Sequence, residues 1–90
     1  MPIRPTDIPP EAAGRWQSRR QRVGSRIREL RLTRGMTQEA LASAADLSRV
    51  HLNRLEAGKR SLAYERLWDL AAALNVNINE LLEVDEESQG

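Results

Sequence analysis

Apolar residues recur along the chain at intervals of three and four, the spacing of one face of an α-helix. No segment alternates with the period of two that is typical of strands. The first helical segment contains Val23, Ile27 and Leu30, and arginines fill its opposite side. Gly35 follows, and glycine readily adopts the left-handed backbone that commonly ends a helix. We therefore predict a first amphipathic helix that ends near Gly35.

Capping residues delimit a second and a third helix. The hydroxyl of Thr37 can accept a hydrogen bond from a free amide of a first helical turn, and the apolar residues after it predict a short helix. Asp46 tolerates left-handed geometry better than most residues, which predicts a tight turn there. Ser48 is placed to cap a third helix, which Gly58 ends. Two short helices joined by such a turn form a helix-turn-helix, which we assign to residues 37–56.

Two more helices complete the pattern. Core spacing continues from about Tyr64 to Leu74, which predicts a fourth helix. Asn77 and Glu80 have the spacing of a capping box, in which each residue satisfies an amide of the other. They predict a short fifth helix.

The two ends of the chain lack this regular pattern. Residues 1–14 contain all four prolines, which predicts a mobile tail or an extended arm. The helical pattern begins at Arg15, with Gly24 as a weak point within it. We assign residues 1–22 to a proline- and arginine-rich arm that is partly disordered. Residues 84–90 are acidic and are predicted to form a disordered tail.

Composition narrows the possible classes of protein. Ninety residues fit one domain, and a hydrophobic fraction of 40% suits a globular fold. No apolar run approaches the ~18 residues of a transmembrane helix, and the N-terminus lacks the apolar stretch of a secretory signal. Without cysteine there is no disulfide and no thiolate metal site. We expect a cytoplasmic protein without cofactor or metal, and no recognisable catalytic motif indicates an enzyme.

The charge is distributed unevenly, although the net charge is only +1. Residues 1–34 hold nine arginines against three acidic residues, whereas residues 61–90 hold one arginine against seven acidic residues. This asymmetry indicates that the N-terminal end meets a polyanion, although it also suits charges that only keep a small protein in solution. One hypothesis is a DNA-binding extension, and the alternative is an unstructured tail. The arginines concerned are Arg15, Arg19, Arg20 and Arg22.

A combination of short motifs resembles the Cro/C1-type, or XRE-type, helix-turn-helix family of bacterial and phage regulators. The resemblance covers about residues 23–83 and leaves only the two tails outside it. The matching motifs are Ile27–Arg31 in the first helix, Thr37–Ala42, Leu47–Ser48, Leu52 and Leu55–Arg60 around the helix-turn-helix, and Leu67–Val76 and Leu81–Leu82 in the last two helices.

The resemblance implies an all-α, compact five-helix, lambda-repressor-like DNA-binding domain at residues 23–83, with flexible N- and C-terminal tails. Asp46 stands where the family often has glycine, and Leu62 where it often has proline. These differences leave open the geometry of the turn and the start of the fourth helix. Arg31 and Glu56 occupy positions that the family pairs between the first and third helices. We expect a structural ion pair, so that Glu56→Ala costs stability more than it changes specificity.

The resemblance also implies that the third helix, at about residues 48–56, enters the major groove of double-stranded DNA. Leu52 and Leu55 should point inward, which leaves a polar face outward. Arginine can contact guanine through two hydrogen bonds, asparagine can pair with adenine, and valine can pack on a thymine methyl group. Any one of these residues could instead be a solvated side chain. The implied base-contacting residues are Arg49, Val50, Asn53 and Arg54.

Further residues of the motif are implied contacts to the DNA backbone. Gln38 lies in the first turn of the second helix, where free amides and the helix dipole favour a phosphate. A single histidine cannot form a metal site, so His51 is interpreted as bordering the turn or contacting a phosphate. The implied backbone contacts are Thr37, Gln38, Ser48, His51, Lys59 and Arg60.

The predicted function is a sequence-specific transcriptional regulator at the nucleoid that occupies a pseudo-palindromic operator as a homodimer. Restriction–modification controllers and antitoxins share the implied fold, and an antitoxin would need its tails for a protein partner. A protein-interaction adaptor with weak DNA binding is the alternative from another class. The candidates for a dimer interface, which ordinary core packing explains equally well, are Trp68, Ile78, Leu81 and Leu82.

Overall fold

A computed structural model of the chain describes residues 9–82, and within that range every regular element is an α-helix. The prediction of an all-α fold of five helices is confirmed. In chain order the helices are α1 (Pro10–Thr33), α2 (Gln38–Ala44), α3 (Arg49–Glu56), α4 (Tyr64–Leu74) and α5 (Ile78–Leu82).

Helix α1 begins earlier than the sequence pattern predicted. It runs for 24 residues from Pro10 without interruption. Proline fits the first helical position because its missing amide hydrogen would have no partner there and its φ is already close to the helical value. The prediction of a mobile or extended segment at residues 1–14 is therefore wrong for residues 10–14. Residues 1–8 lie outside the described part of the chain.

Gly24 marks the point where α1 crosses α3. A Cβ atom at this position would lie 2.3 Å from the carbonyl oxygen of Leu55 and 2.8 Å from that of Glu56. Only glycine lets the two backbones come this close. Helix α1 continues through the predicted weak point at Gly24, which it uses to pack on α3.

The turn between α2 and α3 is held by its capping residues. The Thr37 hydroxyl oxygen accepts a hydrogen bond from the amide of Ala40 at 3.0 Å. The Ser48 hydroxyl oxygen accepts one from the amide of His51, also at 3.0 Å. Asp46 adopts φ = 56°, the left-handed conformation expected of it. Both caps and the turn are thus as predicted, although aspartate replaces glycine.

Helix α4 starts at Tyr64, as predicted, although Ala63 before it offers no side-chain cap. Leu62, which stands where the family often has proline, therefore does not shift the start of α4. The capping box before α5 is present: the amide of Asn77 donates to Glu80 Oε2 at 3.2 Å, and the amide of Glu80 donates to Asn77 Oδ1 at 3.0 Å. The predicted acidic tail at residues 84–90 lies outside the described residues.

One apolar core receives side chains from all five helices. Burial of this surface is the main force that holds such short helices together, since isolated helices of this length are marginal in water. Helix α3 packs on both α1 and α2. The six large side chains that are almost fully buried are Ile27, Leu41, Leu52, Leu70, Leu74 and Leu81.

Candidate nucleic-acid interface

Helix α3 has a buried face and an exposed polar face. Leu52 and Leu55 lie in the core with 0% and 3% of their surface exposed. The four residues predicted to contact bases are all exposed, and Val50 leaves 58% of its surface open to solvent. Val50 does not belong to the apolar core cluster. The exposed residues are Arg49, Val50, Asn53 and Arg54.

The first turn of α2 lies beside this exposed face. Gln38 Nε2 donates a hydrogen bond to Glu56 Oε1 at 3.2 Å, and Asn53 Nδ2 donates one to Gln38 Oε1 at 3.4 Å. The structure thus brings together Gln38, a predicted contact to the DNA backbone, and Asn53, a predicted contact to a base. It also joins Gln38 to Glu56, which the sequence analysis placed in a structural ion pair.

Arg31 and Glu56 form that ion pair in the interior. Arg31 Nε donates to Glu56 Oε2 at 2.8 Å, and Arg31 Nη2 donates to Glu56 Oε1 at 3.0 Å. Arg31 Nη1 also donates to the carbonyl oxygen of Met36 at 2.9 Å. Both residues are 7% exposed. Because this two-bond pair satisfies two buried charges, it fixes α1 against the end of α3 and the entry to α2.

The loop after α3 is held against α1. Gly58 adopts φ = +76°, and a Cβ atom there would lie 2.7 Å from the Cγ of Gln21. Gln17 Nε2 donates to the Gly58 carbonyl oxygen at 3.4 Å. Lys59 and Arg60 follow on this loop with exposed side chains. The loop therefore presents two cations from a fixed position at the end of α3.

The other residues predicted to contact the DNA backbone differ in which of their polar groups already have a partner within the protein. The hydroxyl oxygens of Thr37 and Ser48 accept the helix-capping bonds, which leaves each hydroxyl hydrogen able to donate. The half-buried His51 turns toward the following loop, where its Nε2 lies 3.5 Å from the carbonyl oxygen of Ser61. It borders the loop after α3, and its predicted contact with a phosphate stays a prediction.

Arg28 is a residue of this surface that the sequence analysis missed. It is exposed and lines a shallow polar depression together with Gln38, Asn53, Glu56 and Ala57. The apolar pattern placed Arg28 only on the solvent side of α1. The available signal was its position one turn before Arg31, which the family resemblance already placed against α3.

A family model described as helix-turn-helix matches residues 27–81, more than half of the chain. The chain belongs to the helix-turn-helix family. The resemblance to Cro/C1-type regulators that the motifs indicated is thereby confirmed.

Relatives of this helix-turn-helix chain include regulators from different genomes. An HTH-type transcriptional regulator of Sinorhizobium fredii, y4dJ, is 36% identical over 77% of this chain and 90% of that protein. The control protein C.BamHI of Bacillus amyloliquefaciens is 33% identical over 67% of this chain and 75% of that protein. The crystal structure of the restriction–modification controller C.AhdI from Aeromonas hydrophila shares 34% identity and a TM-score of 0.69, covering 71% of this chain and 97% of that one.

The residues predicted for a dimer interface lie on α4 and α5. Trp68 is 49% exposed and meets the ring of Tyr64 edge-on, with 6.1 Å between the ring centroids. Ile78 and Leu82 are half-buried. Leu81 is 0% exposed, so the prediction that it lies in a dimer interface is wrong. A five-residue helix is too short for its spacing to show which leucine points inward.

No three histidine, cysteine, aspartate or glutamate side chains among residues 9–82 are grouped so that they could hold a metal ion. No helix in the same range has the length and apolar character needed to cross a membrane.

Proposed function

We propose that this regulator binds a specific operator by inserting α3 into the major groove. One observation carries the proposal: the exposed face of α3 lies beside the first turn of α2, with the capping hydroxyls and the basic loop on either side. The major groove is wide enough to admit one α-helix, and its base edges carry the information that distinguishes all four base pairs.

Each side chain on the exposed face of α3 suits a different base edge. Arg49 and Arg54 can each donate two hydrogen bonds to guanine, which contributes about 1–3 kcal/mol of discrimination per contact. Val50 can pack on a thymine methyl group, and Asn53 can pair with adenine. The exposure of Val50 supports this role, since more than half of its surface is open to solvent.

Contacts to phosphates would set the position of α3 in the groove. Gln38 and the capping hydroxyls lie at helix N-termini, where amides and the dipole favour an anion. Arg28 joins this group because it borders the same depression as Gln38. The proposed backbone contacts are Arg28, Thr37, Gln38, Ser48, Lys59 and Arg60, with His51 at the edge of the loop.

The N-terminal half of α1 extends this phosphate-binding surface. Arg19 and Arg20 lie with Arg60 around a depression whose other lining residues are mostly apolar. Gln17 and Gly58 join the same helix to the loop that carries Arg60. The arginines therefore belong to a folded helix beside the basic loop, which supports a role in neutralising additional phosphates.

We propose that the protein acts as a homodimer on a pseudo-palindromic operator. A two-fold interface needs a self-complementary patch. The exposed ring pair Tyr64–Trp68 is the proposed centre of this patch, and Ile78 and Leu82 of α5 are further candidates. Such a dimer works without a cofactor or catalytic step, in the cytoplasm at the nucleoid. Leu81 is buried and is not part of this proposed interface, whereas the aromatic residues Tyr64 and Trp68 remain in it.

Control of a restriction–modification system is the biological role that one specific observation favours. Two of the similar proteins, C.BamHI and C.AhdI, are named as control or controller proteins, and the chain covers 75% and 97% of their lengths. An antitoxin would rely on the two tails, which lie outside the described residues apart from the helical part at residues 10–22. A protein-interaction adaptor is disfavoured by the exposed arginines on α3.

A binding-site selection from random double-stranded DNA tests the proposed DNA recognition. The full chain should enrich one motif of two inverted half-sites about one helical turn apart. The double variant Arg49→Ala/Arg54→Ala should enrich no motif, although it unfolds at the same temperature as the wild type. Failure of the wild-type chain to enrich any motif would contradict the proposal and favour the adaptor.

Sedimentation in the absence of DNA tests the dimer. Trp68→Glu should convert the dimer to a monomer, because it places a charge in the proposed apolar interface. Leu32→Glu is the matched control, since Leu32 is 51% exposed but lies on α1. Equal effects of the two variants, or a monomeric wild type at micromolar concentration, would contradict this interface.

A further inference from the structure

The carboxylate of Glu56 has a second contact besides its ion pair. Its Oε1 atom accepts hydrogen bonds from Arg31 Nη2 at 3.0 Å and from Gln38 Nε2 at 3.2 Å. Gln38 Oε1 in turn accepts from Asn53 Nδ2 at 3.4 Å. A continuous chain of hydrogen bonds therefore runs from the buried Arg31 to the exposed face of α3. We call these four residues the relay: Arg31, Glu56, Gln38 and Asn53.

The charge of Glu56 determines which way the Gln38 amide faces. An ionised carboxylate only accepts hydrogen bonds, so it requires the NH₂ group of Gln38. With Nε2 directed to Glu56, the carbonyl oxygen of Gln38 faces Asn53 and requires the NH₂ group of Asn53. A reversed Gln38 amide would bring two oxygen atoms together at Glu56 and two NH₂ groups together at Asn53.

The orientation imposed on Asn53 has a consequence for base reading. One of its two amide hydrogens is used by Gln38, which leaves the second hydrogen and Oδ1 for DNA. Adenine presents one acceptor and one donor in the major groove, and asparagine matches them with one hydrogen and its oxygen. The exposed edge of Asn53 therefore has the polarity that adenine needs.

We propose that Glu56 is a positioning residue for base recognition: acting through Gln38, its carboxylate fixes the Asn53 amide in the orientation that reads adenine. Arg31 holds the carboxylate in place from the interior. This inference rests on the proposed insertion of α3 into the major groove. It assigns Glu56 an effect on sequence preference in addition to the stabilising ion pair.

Glu56→Gln tests the relay on the selected operator. The neutral amide can present either oxygen or NH₂ to Gln38, so the orientation of Asn53 is no longer fixed. Discrimination against other bases at the adenine read by Asn53 should fall about tenfold, within the range of one bidentate contact. Discrimination at the other base pairs should change less than twofold.

Two further variants separate positioning from stability. Gln38→Met breaks the relay but leaves the Arg31–Glu56 pair intact. It should therefore lower the base preference at the same position while the protein stays folded. Leu74→Ala lowers stability at a fully buried site outside the relay and should leave base preferences unchanged. Relaxation of preference by Leu74→Ala, or retained preference in Gln38→Met, would overturn the inference.

A measurement on the free chain is independent of DNA recognition. The side-chain amide NMR signals of both Gln38 and Asn53 should shift in Glu56→Gln, although none of the described hydrogen bonds joins Glu56 directly to Asn53. In the Gln38→Met background, Glu56→Gln should no longer move the Asn53 signal. An Asn53 signal that stays in place in Glu56→Gln, or still moves without Gln38, would overturn the relay.

The two measurements distinguish the failure of this inference from failure of the proposed function. If no operator is enriched but the amide signals respond as expected, the relay stands and the DNA-binding proposal fails. If an operator is enriched and its adenine preference is unaffected by Glu56→Gln and Gln38→Met, the inference fails and the proposed function stands.

Discussion

The two faces of α3 differ in what they determine. Leu52 and Leu55 lie on the buried face and pack into the core formed with the other helices. Arg49 and Arg54 lie on the exposed face, and among the described contacts the side chain of neither residue makes a hydrogen bond. Residues of the first face decide whether α3 forms, whereas residues of the second decide what it can bind. Glu56 connects the faces, because it is buried and yet linked to exposed Asn53 through Gln38.

The largest expected effect is on the buried face. Leu52→Ala removes most of a fully buried side chain at the centre of the fold. It should lower the free energy of unfolding by about 2–5 kcal/mol, because the cavity adds to the lost burial. Urea unfolding measures this change. Arg54→Ala is the control on the same helix, and a loss below about 1 kcal/mol in Leu52→Ala would show that α3 is not central to the core.

The second prediction concerns the crossing of α1 and α3. Gly24→Ala places a methyl group 2.3 Å from the carbonyl oxygen of Leu55, so the helices must separate. The free energy of unfolding should fall by about 1–3 kcal/mol. Gly14→Ala is a matched control in the same helix, since its Cβ meets nothing within 4 Å. This control should raise the free energy of unfolding by about 0.5–1 kcal/mol. If both variants changed the free energy of unfolding in the same direction, the close packing of α1 on α3 at Gly24 would be contradicted.

Local chemistry made much of this fold predictable. The caps Thr37 and Ser48 and the left-handed Asp46 follow from interactions within a few residues, and all three appear as expected. The start of α1 was missed because Pro10 either breaks a helix or begins one, and the sequence around it permits both. The role of Gly24 depends on a helix that lies about thirty residues further along the chain, which no local pattern reveals.

The candidate site divides in the same way. Helical spacing from Leu52 and Leu55 was sufficient to identify the exposed face of α3. The contact between Gln38 and Glu56 joins residues 18 positions apart on different helices, so it required the structure. Arg28 was missed for the same reason, because its neighbours in the polar depression come from α2 and α3.

A prediction on the exposed face should leave stability unchanged. Arg54→Ala should lower affinity for the selected operator by about 1–3 kcal/mol, all of it at the base pair that Arg54 reads. Affinity for random DNA should change little by comparison. Titrations with operators altered at one base pair measure this, and thermal unfolding of the same sample provides the control. A loss spread evenly over all base pairs would assign Arg54 to a phosphate instead.

The smallest expected effect is at the loop, where a cation contributes without reading sequence. Lys59→Gln should weaken binding to operator and random DNA by the same factor, because phosphates are alike in both. The slope of log affinity against log salt should become shallower by about 0.9, the contribution of one neutralised phosphate. Asp69→Asn, on the exposed side of α4, changes the net charge by one unit away from the loop and is the control. A slope unaltered by Lys59→Gln, or altered equally by both variants, would remove Lys59 from the proposed interface.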